Sequence, residues 1–378
     1  MTGSKQLSYL VISDLHLGHR RTPTTHTIDN VYKYITENIV LFRSIDILFI
    51  AGDLMDRLIS WPSDDACEIT IFMGKLCDFC SENNILLYTL EGTPAHDRKQ
   101  LRVLSVTLER THPGVHTYVD TLSIVEIESL GISVLFVPDE WRPDPDDVYS
   151  EILVLLEEKG MDMVDIAIMH GQFRHQLPNL PDHVKTHNVV AYEKIVRYWV
   201  NIGHIHVHSV CGKILAQGSF PRLSHNEEEE KGGMVMTIGD NPTYRFIPNK
   251  HAMIYKTVDI KSKDLDTSMS KLHRIAKSLP DGSALRIRAS KSNPIFHELP
   301  AIARMYPGLR ITSVDSDSKS NTTSEFLTVA TPIESGVSIT LTVDMVDEVL
   351  REAVRDLHNE DLFLEELRKA KESQPTNI

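Results

Sequence analysis

Seven residues able to bind a hard metal ion, Asp14, His16, Asp53, His96, His170, His204 and His206, stand where apolar runs of the chain give out. The run Tyr9-Leu10-Val11-Ile12-Ser13 stops at Asp14-Leu15-His16, as a buried strand does where it surfaces at a site. Residues 48–51 feed Gly52-Asp53 in the same way, 164–169 feed His170-Gly171, and 199–202 feed Gly203-His204-Ile205-His206. In the last segment two imidazoles two residues apart would lie on one side of an extended backbone, within reach of neighbouring metals. Carboxylate and imidazole donors without thiolates suit Mn²⁺, iron or zinc. A carboxylate such as Asp53 can bridge two ions, and an ion pair can clamp a phosphoryl group and acidify a water for in-line attack. His96 has a different position, in the Gly/Pro loop Gly92-Thr93-Pro94-Ala95-His96-Asp97. There it is expected to protonate a leaving oxygen or stabilise transition-state charge, with Asp97 orienting its ring. A single histidine at a strand end is ordinarily structural, but five separate segments presenting Asp or His at such junctions point to one site. His19 and His175 lie close enough to these loops to be candidates for substrate contact, and the other histidines are read as surface or locally hydrogen-bonded groups.

Strands alternating with helical stretches through about residue 245 predict an α/β core. Residues 28–42 carry Ile28, Val31, Tyr32, Ile35, Ile39 and Phe42 at helical spacing, as a crossover helix between the first two ligand-bearing strands would. Strands are expected over 85–90, 121–127, 132–138, 214–219 and 233–238, with 227–231 as a solvated acidic loop before the last. Cys77 and Cys80 fall in a helical pattern with Ile69, Phe72, Met73, Leu76 and Phe79, which favours packing over a redox or metal role. From about 250 the order strand, helix, strand, helix, strand predicts a small α+β domain. Residues 315–324 hold almost nothing apolar and read as a linker, whereas 343–370 return to amphipathic helical periodicity and need a cover, from the same chain or from a partner helix.

At 378 residues the chain exceeds what one core usually supports, so two domains and a tail are expected. No apolar run approaches a membrane span, and residues 1–6 lack an export-signal pattern, so no membrane association and a cytoplasmic location are expected. Four cysteines fit reduced thiols rather than a disulfide framework. A net charge of −14 argues against general attraction to nucleic acid, so DNA binding would need a local basic surface or metal-led phosphate contact. Arg98, Lys99 and Arg102 offer such charge near His96, or form a solvated helix face.

The set Asp14-Leu15-His16, Gly52-Asp53, His96-Asp97, His170-Gly171 and Gly203-His204-Ile205-His206 resembles the calcineurin-like metallophosphoesterases. Residues 218–224 and the acidic segment after them look like the SbcD-type nucleases, bacterial and phage relatives of the meiotic recombination eleven nuclease. The resemblance is strongest over 8–240. It implies an α/β fold, a four-layer β-sandwich flanked by helices, over 1–248; a small α+β DNA-capping domain over 249–314; a linker over 315–342; and a partner-binding helical tail over 343–378. It further implies one metal held by Asp14, His16, Asp53 and His206, a second held by Asp53, His170 and His204, and His96 as the catalytic histidine. The ions would be two divalent metals, Mn²⁺ or Mg²⁺. The partners would be double- and single-stranded DNA, a coiled-coil ABC ATPase of the SbcC type, and a second copy of the chain, in a DNA end-processing and repair complex. The family pattern Gly-Asn-His-Asp is broken here: Ala95 has no side-chain donor, Thr93 or a water would have to substitute, and a weaker second site is expected. The competing expectations are a standalone phosphatase or phosphodiesterase on small phosphoesters, and an assembly subunit with a degenerate site.

Overall fold

The runs 7–12 and 47–51 are apolar at nearly every position, as strands buried on both faces must be. The computed structural model describes residues 6–317 apart from 62, 140–143, 178–180 and 182. In chain order the elements begin β1 (Leu7–Ile12), α1 (Thr24–Glu37), α2 (Ile39–Phe42), β2 (Ile47–Ala51), α3 (Asp64–Glu82), β3 (Leu86–Leu90), α4 (Leu101–Thr111) and β4 (His116–Val119). They continue as β5 (Ser123–Ile127), β6 (Ile132–Val137), α5 (Pro145–Glu158), β7 (Ile166–His170), α6 (Val189–Ile195), β8 (Val200–Gly203), β9 (Ser209–Cys211), β10 (Ile214–Ala216), β11 (Gly232–Ile238) and β12 (Thr243–Pro248). A last group is β13 (Tyr255–Ile260), α7 (Leu265–Ala276), β14 (Ala284–Ala289), α8 (Ile295–Met305) and β15 (Arg310–Asp315). The chain is thus a mixed α/β protein with three sheets, ordered β12-β11-β1-β2-β3-β4, β5-β6-β7-β8-β10-β9 and β13-β14-β15.

Alternation along each strand decides which core a side chain enters. Tyr9, Val11, Phe49 and Ala51 join Phe136, Ile166 and Ile168 in a core shared by the first two sheets. Their neighbours Leu10, Ile12, Leu48 and Ile50 face the other way, onto residues of α1, α3 and α4 such as Val31, Phe72 and Leu104. Ala167 and Met169 of β7 likewise turn to Ile152 and Tyr192. Tyr9 Oη crosses between the sheets to donate to Asn201 Oδ1 at 3.2 Å. The expected helix over 28–42 arrives as two pieces, because Asn38 breaks the geometry at φ −110° and its side-chain amide donates to the Tyr34 carbonyl. Helix α3 starts on Ser63, whose hydroxyl accepts from the Ala66 amide, with Asp64 and Asp65 in the first turn where the helix dipole favours them. Cys77 and Cys80 are free thiols inside the α3 core, and burial pushes both thiols up.

The third sheet is all parallel and has its own core, with Leu272, Leu285, Ile287, Ile295 and Ile302 closed in by α7 and α8. It is tied to the first part of the chain by Thr22 Oγ1 near Tyr255 Oη, by Arg222 donating to the carbonyls of Ala252 and Met253, and by the Glu228–Lys256 ion pair. The expected linker beyond residue 317 and the amphipathic tail lie outside the described residues. Among the described residues no helix is long and apolar enough to cross a membrane.

Candidate metal centre

Parallel neighbours β1 and β2 end level with each other, Ile12 opposite Ile50, and β7 and β8 do the same with His170 opposite Gly203. The carboxyl ends of such strands are where α/β folds build sites. Past the strands the ladder continues into the loops: the Asp14 amide donates to the Gly52 carbonyl, His16 to Asp53 and Leu17 to Leu54, each within 3.0 Å. Asp14, His16, Asp53 and His204 hold φ of 53°, 48°, 49° and 92°. Each non-glycine residue in that region costs about 1 kcal/mol or more, and a cost repeated at four candidate ligands marks a strained functional site. Two glycines leave the space. A Cβ on Gly52 would stand 2.1 Å from His170 Nδ1, and one on Gly92 would stand 2.1 Å from the Asp53 amide nitrogen.

Six of the expected ligands converge in two groups that adjoin at Asp53 and His16. Asp14, His16 and His206 form one potential metal-binding cluster, and Asp53, His170 and His204 form another. Asp53 Oδ2 lies 3.8 Å from His16 Nε2 and 3.4 Å from His170 Nε2, so it faces both. His206 Nε2 is 3.2 Å from His16 Nε2 and 3.9 Å from Asp14 Oδ1. His96 also reaches this centre, in a grouping with His16 and Asp53, its ring edge-on to His16 at 4.9 Å. His204 and His206 do not sit on an extended strand as expected. The backbone turns at His204, so His204 offers Nδ1 to the second group while His206 offers Nε2 to the first.

The outward nitrogens are anchored. His170 Nδ1 meets the Ala51 carbonyl at 2.9 Å, His206 Nδ1 meets Glu227 Oε1 at 3.2 Å, and His16 Nδ1 lies 3.2 Å from Asp56 Oδ1. Such outer partners fix the tautomer of a ligating imidazole and aim its free nitrogen at the metal. The ring of His96 is held by the Asp56 carbonyl at 2.5 Å from Nδ1, which corrects the expectation that Asp97 orients it. Asp97 instead clamps the loop, accepting from the amides of Met55 at 2.8 Å and Gly92 at 2.7 Å. Burial, with Asp53 and Glu91 nearby, pushes its carboxyl well up. Asp97 thus shapes the backbone under the site, and neither of these bonds reaches the His96 ring.

Three further residues belong to the centre. Thr93 Oγ1 stands 3.2 Å from Asp53 Oδ2, 3.3 Å from His170 Nε2 and 3.3 Å from His204 Nδ1, and its amide donates to Asp53 Oδ1. Asp56 touches His16 and His96 together. Glu227 supports His206, and the segment 227–231, expected to be solvated, ends in a Lys231 side chain with no exposure at all. Of these three, Thr93 alone was expected from the sequence, as a substitute for the donor that Ala95 lacks.

The donors fit divalent ions. His16 Nε2 and His206 Nε2 meet at 3.2 Å, close enough to share one proton or to bind one cation between them. Asp14 and Asp53 are almost fully buried, and buried carboxylates need compensating charge. Burial raises the Asp53 carboxyl, but His170, His16 and His96 outweigh it and hold it below the usual range. His170 shows the converse: burial lowers it, and Asp53 and Asp14 overcome that and raise it. The centre is therefore built for positive charge.

A cavity of about 490 Å³ opens beside His170 and His204, walled in part by Val137, Pro138, Gln172 and His187. The basic residues near His96 are partly engaged: Lys99 and Arg102 both turn to Asp120, and Arg98 Nε donates to the Ala95 carbonyl. His19 accepts from the Arg21 and Thr22 amides of its own turn, and His175 stacks on Phe173.

No family model and no curated protein matches the chain. Among solved structures, TT1561 of Thermus thermophilus aligns with a TM-score of 0.37 at 11% identity, over 62% of this chain and 98% of its own. A second solved chain aligns with a TM-score of 0.38 at 13% identity, over 64% of this chain and 99% of its own.

Proposed function

We propose that the chain is a dimetal-dependent phosphodiesterase of the calcineurin-like metallophosphoesterase type, and within that type an SbcD-like DNA nuclease with exonuclease and endonuclease activity. The observation that carries this reading is Asp53 Oδ2, which lies 3.8 Å from His16 Nε2 on one side and 3.4 Å from His170 Nε2 on the other, with His204 in the same group as His170. Two facing six-stranded sheets with helices on their outer faces support the four-layer sandwich of that superfamily. Asp14, His16, Asp53 and His206 would hold one ion and Asp53, His170, His204 and Thr93 the other, with Mn²⁺ the expected metal and Mg²⁺ its alternative. Two such ions supply Lewis-acid neutralisation of a phosphoester and a water acidic enough to attack it at neutral pH. The chain does the rest. Asp53 keeps the two donor sets in register, the Asp56 carbonyl holds His96 Nδ1, and His96 is left with Nε2 to hand a proton to the departing oxygen.

The acidic net charge and the pairing of Lys99 and Arg102 with Asp120 support a second protein supplying much of the DNA-binding surface. A coiled-coil ATPase of the SbcC type, and a homodimer of this chain, are the partners this reading takes. The cavity beside His170 and His204 favours one alternative, a standalone phosphatase or phosphodiesterase on small phosphoesters. The test is cleavage of linear duplex DNA, single-stranded oligonucleotides and a nitrophenyl phosphodiester with Mn²⁺. Wild type should cut DNA, and His96→Ala should lose about 10²–10⁴-fold in rate while keeping its metal. An unchanged rate in His96→Ala removes that residue from the mechanism, and turnover confined to the small ester selects the alternative.

A further inference from the structure

Lys231 is a fully buried cation that no step above uses. Its side chain has no exposure, and its Nζ lies 2.8 Å from the His206 carbonyl, 3.2 Å from Glu227 Oε2 and 2.6 Å from Glu229 Oε1. Glu227 has its other oxygen on His206 Nδ1 at 3.2 Å. Ser219 Oγ, Ser224 Oγ and the Leu223 amide also donate to this carboxylate. Residue 206 is thus gripped twice, at its carbonyl by the ammonium and at its ring by the carboxylate that the same ammonium neutralises. Glu227 therefore bridges the His206 ring and the Lys231 side chain. The next residue, Glu228, takes Lys256 Nζ at 2.6 Å and the Thr257 amide at 2.9 Å on β13, which anchors the segment from the outside.

A buried lysine is costly unless its partners are fixed, and a plain surface loop gains nothing from burying one against two of its own carboxylates and a distant carbonyl. The arrangement makes sense if the rigidity is used. We propose that Lys231 and Glu227 are positioning residues that hold His206 on the first metal, and that the segment 227–231 is part of the metal centre rather than a connector. This rests on the two-metal reading above. The second group, built by Asp53, His170, His204 and Thr93, makes no contact with this clamp in the bonds described, so the clamp should act on one ion alone.

Mn²⁺ titration of the full chain followed by electron paramagnetic resonance reads both sites, with His206→Ala marking loss of the first ion and His170→Ala loss of the second. Glu227→Ala should weaken the first ion about 10- to 100-fold, the range seen when an outer partner of a ligand is removed, and leave the second unchanged. Glu227→Gln keeps an oxygen for the His206 ring but not the charge, and should fall between the two. Lys231→Met should weaken the first ion as well. If it fails to fold, because Glu227 is stranded, the double variant Glu227→Gln with Lys231→Met removes both charges and should fold with a weakened first site. Wild-type affinity for both ions in Glu227→Ala and in the double variant overturns the proposal. A wild-type chain that takes up no Mn²⁺ overturns the two-metal reading itself, before any variant is compared.

Discussion

Thr93 shows how one hydroxyl can complete a site that its neighbours leave open. Ala95 contributes no donor, and the loop from Gly92 to Asp97 brings Thr93 Oγ1 to within 3.3 Å of Asp53, His170 and His204. The hydroxyl donates to the Asp53 carboxylate and stands where it would serve as a neutral fourth donor to an ion held by these three residues. Replacing it by valine keeps the shape and removes the oxygen. Thr93→Val is expected to weaken the second Mn²⁺ about tenfold with the first ion unmoved, while Thr93→Ser retains both, as read by isothermal titration. Two equally tight ions in Thr93→Val would mean that the oxygen only hydrogen-bonds. Asp56 makes a related point. Its carbonyl and carboxylate serve two different histidines, a double use that depends on the turn after Asp53 and not on residue type.

The loops at the strand ends are where geometry is tightest, and glycine is the residue that permits it. Gly92 lies over Asp53, and a methyl group there would press on both the Asp53 amide, at 2.1 Å, and its Oδ1, at 2.3 Å. Neither group can move without breaking the hydrogen bond from the Thr93 amide to Asp53 or tilting the Asp53 carboxylate. Gly92→Ala should therefore lose both metal ions by titration while circular dichroism still reports the sheets; retention of two ions would show that the loop can yield. The same strand ends explain what could be read in advance. β1, β2, β7 and β8 are buried on both faces, so they write themselves as apolar runs, and the residue that stops each run is the one at the site. The third sheet and its two helices follow the periodicity expected from about 250. What stayed hidden depends on distant partners. Glu227 reads as one acid among four, and only its packing against His206, 21 positions away, separates it from Glu230. The turn at His204 is hidden for the same reason, because its amide is drawn to the Asp14 carboxylate across the sheet ends.

Taken as a whole, the molecule relies on neutral histidines, His116 buried and His187 half-buried, as well as on the clustered Asp and His residues, and this sets its response to acid. His116 lies on β4 with Nε2 on Thr89 Oγ1, and burial brings its pKa down to about 4; His187, beside Tyr192 Oη, is brought down to about 4 by the same cause. In the unfolded chain both would titrate near 6.5. A depressed folded-state pKa means the unfolded chain binds the proton first, so this stability is complete above about pH 6.5 and drains away as pH falls towards 4. By pH 5 the loss is roughly 2 kcal/mol per histidine, or about 4 kcal/mol for the two, a large part of the stability of an ordinary domain. Urea unfolding at pH 7.5 and pH 5.0 should show that drop in the wild type, and the double variant His116→Gln with His187→Gln should show about 4 kcal/mol less of it. Parallel pH dependence in the two proteins would mean that these rings find partners for their charge, and that the acid sensitivity belongs to the carboxylates of the metal centre instead.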